Sequence, residues 1–349
     1  MPKTAKVSPT GDPYVNGVLS GVKWGAEALT FSFPTSRAVY GKHYGYGEPT
    51  AQFGQFNDVQ ENATRAILDL YASVADINFV EIAETQNQHA TLRFAETNRT
   101  STAWAYYPSQ GQVGGDVWLR HSFALYDNPQ KGNYGYLTLI HEIGHALGLK
   151  HPHEREGYFH AMPGDHDSLE YSVMSYRSYV GGPKSGYTNG TWSYPQTLMM
   201  HDITALQTLY GANYQSNSGD TTYHWDPNTG EFFIDSEGQG APIGNRVFMT
   251  LWDGGGRDTY DFSNYATDMS VNLQPGGWST ISAAQLASLG YQRYAQGNIA
   301  NALLYHNNPA SLIEDVIGGS GDDVIVGNIA ANSLTGGQGD DFLDGGFGA

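Results

Sequence analysis

Between residues 56 and 74, Val59, Ala63, Ala66, Ile67, Leu70 and Val74 recur at the spacing that lays an apolar stripe along a helix. The stretches INFVEI (77–82) and ATLRFAE (90–96) instead alternate, as strands with one covered face do, and GGDVWLR (114–120) reads as a third strand. A second long helix is predicted over 134–149, with Gly148 placed to end it, and a third over 198–209, stopping at YGAN. Together these elements predict a mixed α/β unit of roughly two hundred residues.

After residue 213 the pattern changes. Helical periodicity fades, and short apolar runs are punctuated by glycine and aspartate. Near the end GGSGDDVIV (318–326), GNIAANSLT (327–335) and GGQGDDFLD (336–344) repeat with a period of nine. A flexible linker has no reason to repeat valine, isoleucine and leucine in phase, whereas a parallel β-roll does. In such a roll six residues make a turn whose carbonyls and aspartate face inward, and three make a short strand. Stacked aspartates such as Asp323 and Asp341 repel unless a cation lies between neighbouring turns, and hard oxygen ligands select calcium. The middle unit puts Asn332 where aspartate is expected, which predicts a weaker site. A second cluster, WDGGGRDTYDFSNY (252–265), lets Asp253 and Asp258 reach ions from either side of a glycine turn.

Composition narrows the classes. The chain has 349 residues, 40% of them hydrophobic, enough for a real core and for two domains. Its formal net charge of −18 argues against nucleic acid and anionic lipid as partners, and its 44 glycines fit a calcium binder. No run is apolar and long enough to span a membrane. MPKTAKVSPTGDPYVNG lacks the apolar stretch of a secretory signal, which taken alone favours the cytoplasm. The absence of cysteine excludes disulfides, thiol catalysis and latency by a cysteine plugging a metal site.

The chemistry concentrates in HEIGHALGLKHPHE (141–154), which holds four of the twelve histidines. His141 and His145, four apart, share one face of a helix. His151 could not join them on a continuing helix, but a left-handed exit at Gly148 swings the chain back. Three imidazoles then take three corners of a tetrahedron with metal–nitrogen distances of about 2.0–2.1 Å, leaving the fourth open, as a catalytic zinc requires. Glu142 follows the first ligand, in place to take a proton from the metal's water. His153 and Glu154 read as solvent-exposed loop residues.

The pattern HExxHxxGxxH followed by proline resembles that of the metzincins, whose next landmark is a methionine turn; SVMSY (172–176) fits, with Met174 as the floor under the metal. HEIGHALGLKHP, YSVMSY, DITALQTLYGAN, DTYDFSNY and GGSGDDVIVGN, in that order, resemble the serralysins, secreted bacterial zinc proteases with a calcium-binding β-roll. The likeness runs from about residue 15 to the last. It implies an α+β zincin-like catalytic domain over 16–213, an all-β parallel β-roll with calcium-binding nonapeptide repeats over 214–349, and a prosegment or N-terminal extension over 1–15.

The resemblance further implies one catalytic zinc on His141, His145 and His151, with Glu142 as general base. Tyr176 would ligate the resting metal, swing away when substrate binds, and assist the oxyanion. Gly115, Asp116, Val117 and Trp118 would form the rim strand that pairs with an extended substrate. Several structural calcium ions would lie on Asn217, Gly219 and Thr221 with Asp253, Gly255 and Asp258, and on Gly256, Asp258, Leu312 (through its carbonyl) and Glu314. Within the roll the ligand positions are Gly319, Gly321, Asp323, Asn328, Ala330, Asn332, Gly337, Gly339 and Asp341. The resemblance implies signal-less one-step export to the outside of a bacterial cell. Protein or peptide substrates are the expected partners, with room for a proteinaceous inhibitor, and the expected state is a monomer. The chain stops within a repeat, which suggests truncation. A rival reading makes the roll a calcium-dependent surface-binding or adhesion module beside a vestigial protease. The intact Glu142 argues against it, and the repeats argue against an astacin.

Overall fold

A computed structural model describes residues 2–85 and 87–348. Met1 and Ala349, the outermost residues of the first and last expected segments, lie outside the described residues. The N-terminal part is built on helices α1 (Pro13–Val18), α2 (Asp58–Val74), α3 (Tyr134–Leu147) and α4 (Met200–Tyr210). It carries strands β1 (Thr4–Lys6), β2 (Val22–Trp24), β3 (Ala28–Ser32), β4 (Asn78–Glu81), β5 (Leu92–Thr97), β6 (Ala103–Ala105) and β7 (Val117–Arg120). Helix α2 starts where Asn57 accepts from two amides of the first turn while Gln60 reaches back to the Asn57 amide. Helix α3 stops two residues before the predicted end. Gly148 turns left-handed (φ 109°) and donates its N–H to Gly144 and His145.

One sheet runs in the order β4-β3-β5-β7-β6. The first four strands are parallel and β6 joins the end of the sheet antiparallel to β7. The main core packs Ile67 and Tyr71 of α2, Ile140 and Ile143 of α3 and Leu206 of α4 against Leu92 and Phe94 of the sheet. The Tyr71 hydroxyl donates to the Ile140 carbonyl at 2.7 Å, fastening α2 to α3.

The topology corrects one expectation. Residues 115–118 form no open rim, because β7 is paired on both edges, with β5 and with β6. Asp116 is fully buried and bonded to Arg93 (2.6 and 2.9 Å) and to the Tyr44 hydroxyl, Trp118 Nε1 donates to Tyr44 at 3.2 Å, and Gly115 takes a positive φ (80°) on entering the strand. The open edge belongs to β6, within TAWAYY, too short a run to stand out from the threonines and serines before it.

Beyond Tyr210 the described chain forms only strands and short 3₁₀ turns. Asp315–Ile317, Val324–Val326, Ser333–Thr335 and Phe342–Asp344 begin nine residues apart and alternate between two sheets. The first pairs in parallel with the third and the second with the fourth, eighteen residues on, as in Val316 with Leu334 and Ile325 with Leu343. This part has its own apolar cluster around Tyr223, Trp225 and Tyr260. It also lends Phe248, Trp252 and Leu289 to the main core, so the two parts pack against each other.

Candidate metal centre

His141 and His145 leave α3 on one face, and Gly148 brings His151 back to them. His151 Nε2 lies 3.1 Å from His141 Nε2 and 3.0 Å from His145 Nε2. The opposite nitrogens explain why these atoms converge. His141 Nδ1 faces the Val173 carbonyl at 2.9 Å and His145 Nδ1 the Leu149 carbonyl at 2.8 Å. A carbonyl only accepts, so each Nδ1 carries the proton and each Nε2 presents a lone pair. Burial pushes His141 down to about 4 and His145, with help from His141, down to about 3, and it lowers His151 furthest. All three rings are therefore neutral near pH 7, the state a metal ligand requires.

His151 lacks a carbonyl partner. Its Nδ1 sits 3.0 Å from Glu154 Oε2, close enough for an ion pair but out of line for a hydrogen bond. Glu154 is exposed as expected. His153 is not, since its ring stacks on His151 (5.5 Å, 13°) and lies 5.3 Å from Tyr176.

Met174 is fully buried beneath the helix, where a Cβ on Gly144 would meet its Sδ at 2.6 Å. A side chain at position 144 would push the methionine from this position. Tyr176 lies over the cluster, its ring 4.3 Å from that of His151 and 5.7 Å from that of His141. Its phenol is raised above the ordinary value by burial first and then by Glu142. Glu142 is buried with Oε2 unpartnered, and burial lifts it to about 8. His141, Glu142 and Tyr176 line one cleft of about 510 Å³ with Thr102 and Ala103 at the β6 edge and Tyr134, Tyr187 and Tyr194 behind.

The expected calcium positions fall into three groups. Asp253 and Asp258 are buried together, and both are lifted above the ordinary carboxylate value, by desolvation first. Asp258 Oδ1 accepts from the Thr221 amide at 2.8 Å while its Oδ2 is left without a partner. Around them stand Asn217, whose amide donates to Tyr223 at 3.1 Å, and Gly219, whose carbonyl accepts from Thr221 Oγ1. Gly255 donates to Asp253 at 2.6 Å, Gly256 sits where a Cβ would strike the Gly219 carbonyl, and Glu314 accepts from the Asp258 amide at 2.9 Å. Leu312 is buried nearby in sequence to Glu314.

In the second group the first and third repeats stack directly. A Cβ on Gly337 would strike the Gly319 carbonyl and one on Gly339 the Gly321 carbonyl, while the Asp323 amide donates to Asp341 Oδ1 at 2.9 Å. The middle repeat differs. The Asn328 amide donates to the Ile313 (2.7 Å) and Leu273 (3.2 Å) carbonyls, and the Asn332 amide to Glu314 (2.8 Å). Asn328 Oδ1 in turn accepts from Ala330 at 2.9 Å. The Asn328 and Asn332 side chains are thus tied to the Ile313, Leu273 and Glu314 carbonyls, where the flanking repeats carry the carboxylates of Asp323 and Asp341.

Residues 50–173 match the Matrixin family, and residues 212–344 match the family described as Peptidase M10 serralysin C terminal. The chain is 33% identical to the metalloprotease AprA of Pseudomonas entomophila over 94% of this chain and 66% of that protein. It is 33% identical to serralysin G of Dickeya chrysanthemi (81% and 56%) and 32% identical to the serralysin of Proteus mirabilis (88% and 60%). It spans between just over half and about two thirds of the length of these relatives. The chain belongs to the serralysin-type metzincins.

In this serralysin-type metzincin, two supporting residues went unmarked in the sequence. Asp202, third residue of α4, accepts from Ser172 Oγ (2.6 Å), the Val173 amide (2.7 Å) and the Met199 amide (2.9 Å). It thereby holds the methionine turn whose Val173 carbonyl orients His141. The polar cue in HDITALQ was there, but its partners lie thirty residues upstream. Tyr107, just past β6, meets the His145 ring edge-on (5.6 Å, 81°) as a second phenol beside the metal centre.

Proposed function

We propose that this chain is a zinc-dependent endopeptidase that cleaves extracellular proteins, with a catalytic part over 16–213 and a calcium-binding β-roll over 214–349. The observation that carries the reading is the convergence of three histidine Nε2 atoms, with His151 Nε2 3.0–3.1 Å from the other two, beside a buried, unpartnered Glu142 oxygen. Lone pairs fixed on His141 and His145, with His151 Nε2 beside both, make a pocket of nitrogen donors that suits a cation. A set of three imidazoles with no thiolate suits zinc with an open position.

When bound, zinc supplies a Lewis acid that polarises the scissile carbonyl and acidifies water. Glu142 accepts the proton of the attacking water at Oε2 and passes it to the leaving amine. Its burial suits this role, since a base lifted toward neutrality both takes and returns a proton near pH 7. The Tyr176 phenol donates to the oxyanion as it develops. An extended substrate adds to the free edge of β6, which borders the cleft at Ala103. At Asp253 and Asp258, and at Asp323 and Asp341, calcium would relieve carboxylates held together, and the parallel pairing of strands eighteen residues apart supports a roll stacked around such ions.

Casein hydrolysis by the purified chain in calcium buffer, with and without a zinc chelator, tests this. Activity lost to the chelator and restored by zinc is expected. A folded, zinc-loaded chain that cleaves no casein or denatured protein would leave the adhesion reading standing instead.

A further inference from the structure

Lys150, next to the third histidine, is fully buried. Its Nζ reaches four carbonyl oxygens and no carboxylate: Gly17 at 2.5 Å, Glu154 at 2.7 Å, His160 at 3.3 Å and His151 at 3.4 Å. An ammonium held in the interior by carbonyls alone is costly, and methionine or leucine would fill the same space without that cost. The charge therefore calls for an explanation beyond packing.

The backbone around it supplies one. His141 and His145 are fixed by a helix and by carbonyls on their Nδ1 atoms. His151 has neither support: it lies on irregular backbone past Gly148, and its one side-chain neighbour at Nδ1 is Glu154, 47% exposed and misaligned. Beyond the His153 and Tyr176 rings packed against it, its position comes from the main chain. Residues 151–154 form a turn closed by the Glu154 amide on the His151 carbonyl at 3.1 Å. Lys150 Nζ binds the carbonyls at both ends of that turn and joins them to Gly17 of α1 and to the returning loop at His160. The Lys150 amide adds a bond to the Val18 carbonyl at 2.7 Å, and Ser20 donates to Gly148 at 3.0 Å.

We propose that Lys150 is a positioning residue for the metal centre: its buried ammonium knots the 151–154 turn to α1 and so fixes His151 Nε2 against the other two imidazoles. This rests on the proposed function in that it takes the three histidines as the ligand set.

Cobalt(II) binding to the zinc-depleted full chain in calcium buffer tests it without needing proteolysis. Lys150→Met keeps the stem and removes the donors. Its far-UV circular dichroism and metal-free thermal midpoint should stay near those of the parent. Cobalt affinity should fall about ten- to hundredfold, the scale for losing an outer partner of a metal ligand, and the visible cobalt bands should shift. Lys150→Gln, which restores two N–H donors, should recover part of that affinity. In the zinc-loaded enzymes kcat should fall while KM stays constant.

A Lys150→Met variant with the parent's cobalt affinity and spectrum overturns the proposal. So does one whose affinity falls only as far as its metal-free stability does, or a pair of variants that both fail to fold, which would make the lysine a determinant of the fold alone. A parent that binds cobalt yet cleaves nothing overturns the proposed function and leaves this inference intact. A parent that binds no cobalt overturns both.

Discussion

Replacing Asp202 by alanine isolates the support beneath the metal centre from the centre itself. The fully buried carboxyl accepts from two backbone amides and one hydroxyl, at 2.6–2.9 Å. Alanine leaves those donors unpaired in the interior, at about 1–3 kcal/mol each. Water entering the vacated space would take up part of this, so a loss of about 3–5 kcal/mol is expected for the catalytic part. Burial lifts Asp202 to about 7, against hydrogen bonds that pull the other way. A carboxyl with a raised folded value contributes its full stability below about pH 4 and loses it as pH climbs through 7. The alanine penalty should therefore be larger near pH 5.5 than near pH 9. Asparagine can direct its oxygen to the two amides and its N–H₂ to Ser172, so Asp202→Asn should cost far less than alanine. Urea denaturation at both pH values, with calcium present and metal removed from both proteins, reads these differences. A loosened Val173 carbonyl should also free the His141 ring and weaken zinc about ten- to hundredfold in chelator competition. A penalty that grows with pH, or an alanine variant with the parent's stability and zinc affinity, would refute the reasoning.

Three further outcomes follow from the site and the roll. Glu142→Ala should keep zinc, because the three imidazoles remain, while peptide hydrolysis falls about 10²–10⁴-fold; near-parental turnover would sink the assigned base. Tyr176→Phe should keep its fold, zinc and KM while kcat drops about a hundredfold, and unchanged turnover with lower stability would make the ring a packing residue. Calcium removal should unfold the chain beyond about residue 214 before the rest melts, since Asp253 with Asp258 and Asp323 with Asp341 lose what separates their charges; β-structure that persists in chelator on circular dichroism would contradict this.

The elements legible in the sequence are those whose signal is local. The Gly148 stop is written within a few residues of where it acts, and the helices predicted over 56–74 and 134–149 lie at Asp58–Val74 and Tyr134–Leu147; of the stripe read on α2, Ile67 and Val74 are buried while Val59 and Ala66 are exposed, the core taking Leu68 and Tyr71 instead. The nine-residue period is local too, although the pairing it produces joins strands eighteen residues apart. What stayed hidden is pairing set by topology. Nothing in GGDVWL says whether it ends a sheet or lies inside it; that depends on β6, a three-residue strand with no alternation to read. Once β6 is in place, Asp116 can only face the interior, where Arg93 and Tyr44 meet it.

The metal centre divides along the same line. His141, His145 and His151 are legible because a helix period and one glycine suffice to turn them toward one another. The atoms that would make them ligands are not, because Val173 sits thirty-two residues from His141 and is itself fixed by Asp202 twenty-nine further on. The direction of dependence matters. A spacing motif fixes which nitrogens can meet, but the proton on each Nδ1 decides whether the facing Nε2 carries a lone pair, and that proton is placed by carbonyls the motif does not contain. At His151 no carbonyl does this, and a buried lysine holds the backbone instead. Variation in metal affinity among chains that share HExxHxxGxxH should therefore track the residues that hold the third histidine's turn more closely than the motif itself.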